Sequence, residues 1–309
     1  MAEVTIKPTT PRSSQRGNQS TIKALIIIGA LIFLASAGAW WFLVRNTAQN
    51  SFDSMLNNNF RTASVTREVQ QISGTQKLDQ VIRIQNQSQH VASGLTTLTQ
   101  NNGATKVITE SIGTPTADFV RYIEIKTDQK NQKGKQLEFG SVLNIWGKSE
   151  SDPGGQIGSL YGDVSLGLFP FADLSAEQRN QMMDIINTNK VYQTDFNTTQ
   201  RIVKDGRPYF IYRVNVKPSA YVTMLKQYGE YVGIDQLKNL NPEDYKDTPD
   251  QVVDVAVDIL SQRLAKVTTV KGNRQESYSG YGIIQKIELP NNAVPMQELQ
   301  ERLQTSASA

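Results

Sequence analysis

Asp254 and Asp258 stand four residues apart in the alternating stretch Gln251–Leu260, on the face opposite Val253, Val255, Val257 and Ile259. Paired carboxylates can share a proton in acid–base chemistry or hold Ca²⁺. Four residues along a strand is about 13 Å, too far for one metal without other ligands, so a solvated outer face is the ordinary reading. His90 is the sole imidazole, set in the polar run Asn86–His90, and reads as a surface residue between strands before it reads as a base. Gly140 and the Gly147-Lys148-Ser149 triplet suggest a phosphate loop, but six residues separate the glycines where that loop needs four. Ser20-Thr21-Ile22-Lys23 lacks the Lys-Thr-Gly partner of penicillin-binding enzymes, and Ser159 sits beside Gly158 instead of at the centre of a nucleophile elbow. With no cysteine in 309 residues, thiol nucleophiles, disulfides, thiolate metal sites and an N-terminal lipid-modified cysteine are excluded. No catalytic set, metal or cofactor is expected.

The charge distribution says more than the net +3. Residues 1–45 carry Lys7, Arg12, Arg16, Lys23 and Arg45 against Glu3, and the rest is nearly balanced, so no nucleic-acid footprint is present. Ala24 to Val44 contains no charge over 21 residues. As a helix it is roughly 31 Å long, the thickness of a hydrocarbon core. Trp40 and Trp41 near one end suit the headgroup boundary, and the basic residues before it predict a cytoplasmic N-terminus. Ala35-Ser36-Ala37 offers a signal-peptidase site, but the apolar run continues to Val44, which favours an uncleaved anchor. The expected organisation is a disordered cytoplasmic tail over 1–22, a transmembrane signal-anchor over 23–45 and a juxtamembrane helix over 46–61. An extracytoplasmic domain over 62–295 and a polar C-terminal tail over 296–309 follow.

Within that domain the period of apolar residues is mostly two. Phe52, Met55, Leu56 and Phe60 mark the helix 48–60 by their i, i+3, i+4, i+8 spacing. Strands are expected around 65–67, 81–84, 95–98, 107–112 and 119–126, then 191–203, 209–216, 251–260, 266–270 and 282–289. Strands arriving without helices between them predict antiparallel pairing and an α+β class. Ser175 to Gln178 forms a capping box ahead of Met182, Met183, Ile185 and Ile186. Tyr221, Met224, Leu225 and Tyr228 share a face of a helix over 219–228 that is expected to break near Gly229. The stretch 157–171 is rich in glycine yet carries Tyr161, Leu166, Leu168, Phe169 and Phe171, the composition of an irregular packed loop or a mobile lid. Lys130, Lys133 and Lys135 mark a solvated hairpin tip, with contact to anionic headgroups the minor alternative.

Three segments resemble a known family. Arg207–Val216 followed by Pro218 and a helix carrying Tyr221 and Leu225 is similar to the strand and Y-x-x-x-L helix of bacterial lipoprotein carriers. Val253–Lys266 (VDVAVDILSQRLAK) and Tyr278–Pro290 (YSGYGIIQKIELP) resemble two further strands of the LolA/LppX/LprG-like superfamily. The resemblance covers about residues 190–290. It implies a strongly curved antiparallel sheet wrapped as a half-barrel, with helices on its concave side and a cavity for acyl chains. Lipid-anchored relatives carry a cysteine that is absent here, and a fixed anchor would prevent shuttling between membranes.

On that reading strand alternation turns Val81, Leu95, Val120, Phe210, Tyr212, Val255 and Val257 inward. Tyr221, Met224, Leu225 and Tyr228 cover the interior from the helix, and Leu168, Phe169 and Phe171 lie near its mouth. The expected function is non-catalytic binding of a lipid or other hydrophobic ligand at the outer face of the cytoplasmic membrane. The alternative is an envelope interaction or scaffolding module with a filled core and no ligand.

Overall fold

The structure is a computed structural model that describes residues 36, 47–87, 90–131, 134–150, 161–162, 166–284 and 286–308. The expected tail 1–22 and the anchor Ala24–Val44 lie outside the described residues, Ser36 apart, as does most of 151–165. Among the described residues no helix is long and apolar enough to cross a membrane. Met1–Thr47 is a unit of its own, and Ala48–Ala309 is a second, compact unit that holds every element named below.

Helix α1 (Ala48–Asn59) buries the predicted stripe, with Phe52, Met55 and Leu56 all sealed from solvent. Five long strands follow as a meander: β1 (Ser64–Ser73), β2 (Gln76–Gln85), β3 (Val91–Gln100), β4 (Thr105–Gly113) and β5 (Ala117–Thr127). After β6 (Trp146–Glu150), helix α2 (Ala176–Asn189) starts at the predicted capping box. Gln178 N donates to Ser175 Oγ at 3.2 Å, and Ser175 N donates to Gln178 Oε1 at 3.0 Å. Short β7 (Tyr192–Thr194) and β8 (Gln200–Lys204) precede β9 (Arg207–Val216) and helix α3 (Pro218–Val232). The chain closes with β10 (Gln251–Asp258), β11 (Arg263–Thr269), β12 (Arg274–Ser279), β13 (Ala293–Pro295) and helix α4 (Met296–Ser308).

The strands form one curved, unclosed sheet in the order β13-β6-β5-β4-β3-β2-β1-β12-β11-β10-β9-β7, with β8 paired to β9. Among the described residues, all pairings between these strands but one are antiparallel. The exception corrects the expected antiparallel sheet: β13 runs parallel to β6, Ala293 opposite Trp146. A three-residue edge strand leaves too little sequence for an alternation to be read, so this pairing had no signal.

Alternation gives the sheet an inner face, which bears the core, and an outer face. Val65, Val69, Ile82, Ile84, Tyr212, Val214, Val253, Val255 and Val257 are buried inward with α1, α2 and α3. Outside, Glu110 pairs with Arg121, whose guanidinium lies 4.6 Å from the Trp146 ring centre. The polar tail expected over 296–309 forms α4 and docks on the sheet, because Leu299 is buried against β6. A Cβ at Gly147 would stand 2.8 Å from Leu299 Cδ2 and 3.2 Å from Leu299 Cβ, so a larger residue there would make α4 or its side chains shift.

Two further expectations are corrected. Helix α3 does not break at Gly229 but runs to Val232 and is capped by Gly233 in the left-handed conformation. Gly229 answers a packing need, since a Cβ there would lie 2.7 Å from Leu237 Cβ and 2.9 Å from the Ile234 carbonyl oxygen. The last long strand is Arg274–Ser279, not Gly282–Leu289. Gly280 and Gly282, both at positive φ, turn the chain off the sheet and leave Ile283 and Ile284 exposed.

Candidate functional site

Where β1 meets β12, the register places three inner-face pairs in succession: Arg67 with Tyr278, Val69 with Glu276, and Gln71 with Arg274. A polar ladder therefore crosses the inner face at the middle of the sheet. Glu276 is buried and held on both oxygens. Arg274 Nε donates to Oε1 at 2.9 Å, with Nη2 ion-paired 2.8 Å from the same oxygen, while Tyr278 Oη donates to Oε2 at 2.5 Å. Arg274 Nη1 also donates to Gln71 Oε1 at 3.0 Å. A carboxylate with this many donors is compensated for its burial. Burial and the neighbouring Glu276 charge push the Tyr278 phenol well above its ordinary range.

Over this ladder lies the segment 166–174, fixed by backbone and side-chain bonds alike. Ala172 N donates to the Asn59 carbonyl and Leu174 N to that of Phe60, which ties the segment to the end of α1. Three tyrosines from other elements then donate to its carbonyls. Tyr192 Oη reaches Leu168 O at 2.6 Å, Tyr221 Oη reaches Gly167 O at 2.6 Å, and Tyr228 Oη reaches Phe171 O at 2.7 Å. Phe169 stacks on Tyr192 at 4.7 Å between ring centres. The described part of this stretch is a packed, hydrogen-bonded loop. Gly167 is constrained as well: a Cβ there would fall 2.6 Å from Arg67 Nη1.

Beside the segment is a groove of about 390 Å³. Leu166 to Leu168 form one wall, Tyr221 and Leu225 of α3 another, and Val267, Thr269, Arg274 and Glu276 of the sheet the third, with Gln251 at the rim. Clefts of similar size lie beside Asp53 and Tyr192, and beside Arg207 and Asp258. The first groove holds three of the residues expected from sequence: Leu168, Tyr221 and Leu225.

The remaining expected residues divide into two groups. Tyr212, Met224, Tyr228, Val255 and Val257 do face inward, but each is fully buried among side chains of α1 and the sheet, and Phe169 and Phe171 join the same core. Phe210 is half-buried at its margin, opposite Val257, and Val120 is half-buried on the inner face, opposite Ser111. Val81 and Leu95 are corrections. They pair with one another on the outer face, flanked by Glu68 and Glu110, and are 37 % and 47 % exposed. The buried set of β2 is Ile82 and Ile84, one step out of phase with the expectation. Sequence reasoning missed Arg67, Arg274 and Glu276 because charged residues in a strand ordinarily face solvent.

The two aspartates have separate partners. Arg213 Nε donates to Asp254 Oδ1 at 3.0 Å on the surface, whereas Asp258 is buried and accepts from Ser261 N at 2.8 Å. The solvated-face expectation therefore holds for Asp254 and fails for Asp258, which caps the turn after β10. His90 is half-buried, and the desolvation lowers its pKa against the opposing pull of Asp173. Among the described residues no three His, Asp or Glu side chains are placed to hold a metal.

No protein-family model matches the chain, and comparison with curated proteins gives no match. Among solved structures the chain is similar to the crystal structure of LprF from Mycobacterium bovis, with 12 % identity and a TM-score of 0.41 over 80 % of this chain and 97 % of that one.

Proposed function

We propose that the chain binds a lipid or another hydrophobic molecule without transforming it, held at the outer face of the cytoplasmic membrane by Ala24 to Val44. The observation that carries this reading is the groove of about 390 Å³ between Leu168, Leu225 and Val267. Its size falls in the range of small-molecule sites, and it combines apolar walls with a few fixed polar groups. An acyl chain laid there would gain about 0.8 kcal/mol for each methylene removed from water. The uncharged run of 21 residues and the basic residues before it support the anchoring and its orientation.

A second reading, an envelope scaffold with a filled core, draws on the packing of Met55, Tyr212 and Val255, each 0 % exposed. Native mass spectrometry of the full-length chain, purified with its lipids, separates the two. Mass adducts that lipid extraction removes support the binder; a bare chain with a bound protein supports the scaffold.

A further inference from the structure

The turn after β10 and the turn after β12 meet at one end of the sheet, and between them they expose a concentration of large apolar side chains. Leu260 is 59 % exposed, Ile283 60 % and Ile284 64 %. They do not fold back into the core, because both turns are pinned. Ser261 N donates to Asp258 Oδ1 and Gln262 N to the Asp258 carbonyl at 2.8 Å, while Gly282 N donates to Ser64 O and Ser64 Oγ to Ile283 O at 2.9 Å. The cleft between the turns, about 350 Å³, is lined by Arg207, Arg263, Tyr209, Tyr281 and Ile283. Arg207 and Arg263 are exposed, and Arg263 lies 4.9 Å from the Tyr281 ring centre. The acidic group facing them is Asp258, which is buried and 3.8 Å from Arg207. Lys286 and Glu288 just beyond pair with each other.

Exposed aliphatic tips, aromatic rings at their base and arginines alongside are the combination that partitions into the boundary of an anionic bilayer. We infer that this end of the sheet docks on a membrane surface rich in anionic lipid, inserting Leu260, Ile283 and Ile284 while Arg207 and Arg263 meet the headgroups. This inference stands independently of the ligand groove.

The absence of cysteine makes a direct test possible. Ile284→Cys in the full-length chain is labelled with an environment-sensitive dye and mixed with vesicles of phosphatidylglycerol or of phosphatidylcholine. Ile72→Cys, at the far end of β1, serves as the control for attachment through any other part of the chain. The expected result is a blue shift at position 284 with anionic vesicles, much weaker with neutral ones, and none at position 72. Replacing both arginines by glutamine should weaken the partitioning reported at 284 by about thirtyfold, and replacing both by lysine should preserve it. No shift at 284, equal shifts with both lipids, or an equal shift at 72 would overturn the inference.

Discussion

Tyr221 Oη lies 2.6 Å from the carbonyl oxygen of Gly167, so a helix residue chosen by sequence as a cavity wall is a clasp on the loop that closes it. With the bonds from Tyr192 and Tyr228, this turns a glycine-rich, aromatic stretch into a fixed part of the core. Removing the Tyr221 hydroxyl leaves the ring packed but takes away the bond. Tyr221→Phe should cost about 1–2 kcal/mol. Urea denaturation measures that loss, and faster amide exchange confined to residues 166–172 would locate it. An unchanged midpoint would show that the clasp contributes nothing.

Buried tyrosines around this segment set an alkaline limit. Burial raises the Tyr192, Tyr228 and Tyr278 phenols well above their ordinary value of 10.0. The folded chain thus keeps protons that the unfolded chain releases, and by linkage their contribution is complete below pH 10 and is lost as pH rises beyond it. Absorbance titration should show these phenols ionising together with loss of circular dichroism. Their ionisation in a chain that stays folded would contradict the burial.

Gly229 sets two effects against each other. In an open helix, glycine to alanine gains about 1 kcal/mol. Here the added methyl meets Leu237 Cβ and the Ile234 carbonyl, neither of which is the far end of a flexible side chain. The clash should win, so that Gly229→Ala loses about 1–3 kcal/mol net. A stabilised variant would mean that the turn after α3 yields freely.

The legible parts of the fold were those with a long period. The strands from Ser64 to Thr127 and helix α1 repeat their apolar positions often enough to be read, and the Ser175–Gln178 box marked the start of α2 by its own chemistry. Alternation alone, however, does not say which phase faces the core. In β2 both Val81 and the Ile82–Ile84 pair were available, and only the packing of α1, set far away in sequence, decides for the isoleucines. The groove was half legible. Leu168, Tyr221 and Leu225 are apolar or aromatic where a binder needs them, but Arg274 and Glu276 reach it through a strand register that no local pattern encodes.

On the proposed function, the groove beside Leu168 holds an acyl chain. Leu168 is half-buried and lines that groove, so Leu168→Trp fills space that a ligand would use and should leave the fold within about 1 kcal/mol of wild type. The decisive measurement is retention of a fluorescent fatty acid by the full-length wild-type and Leu168→Trp chains, with the denaturation midpoint of each. Retention by the wild type and its loss in the variant at a near-constant midpoint is the predicted result. Unchanged retention, or a wild type that retains no probe at all, would contradict it.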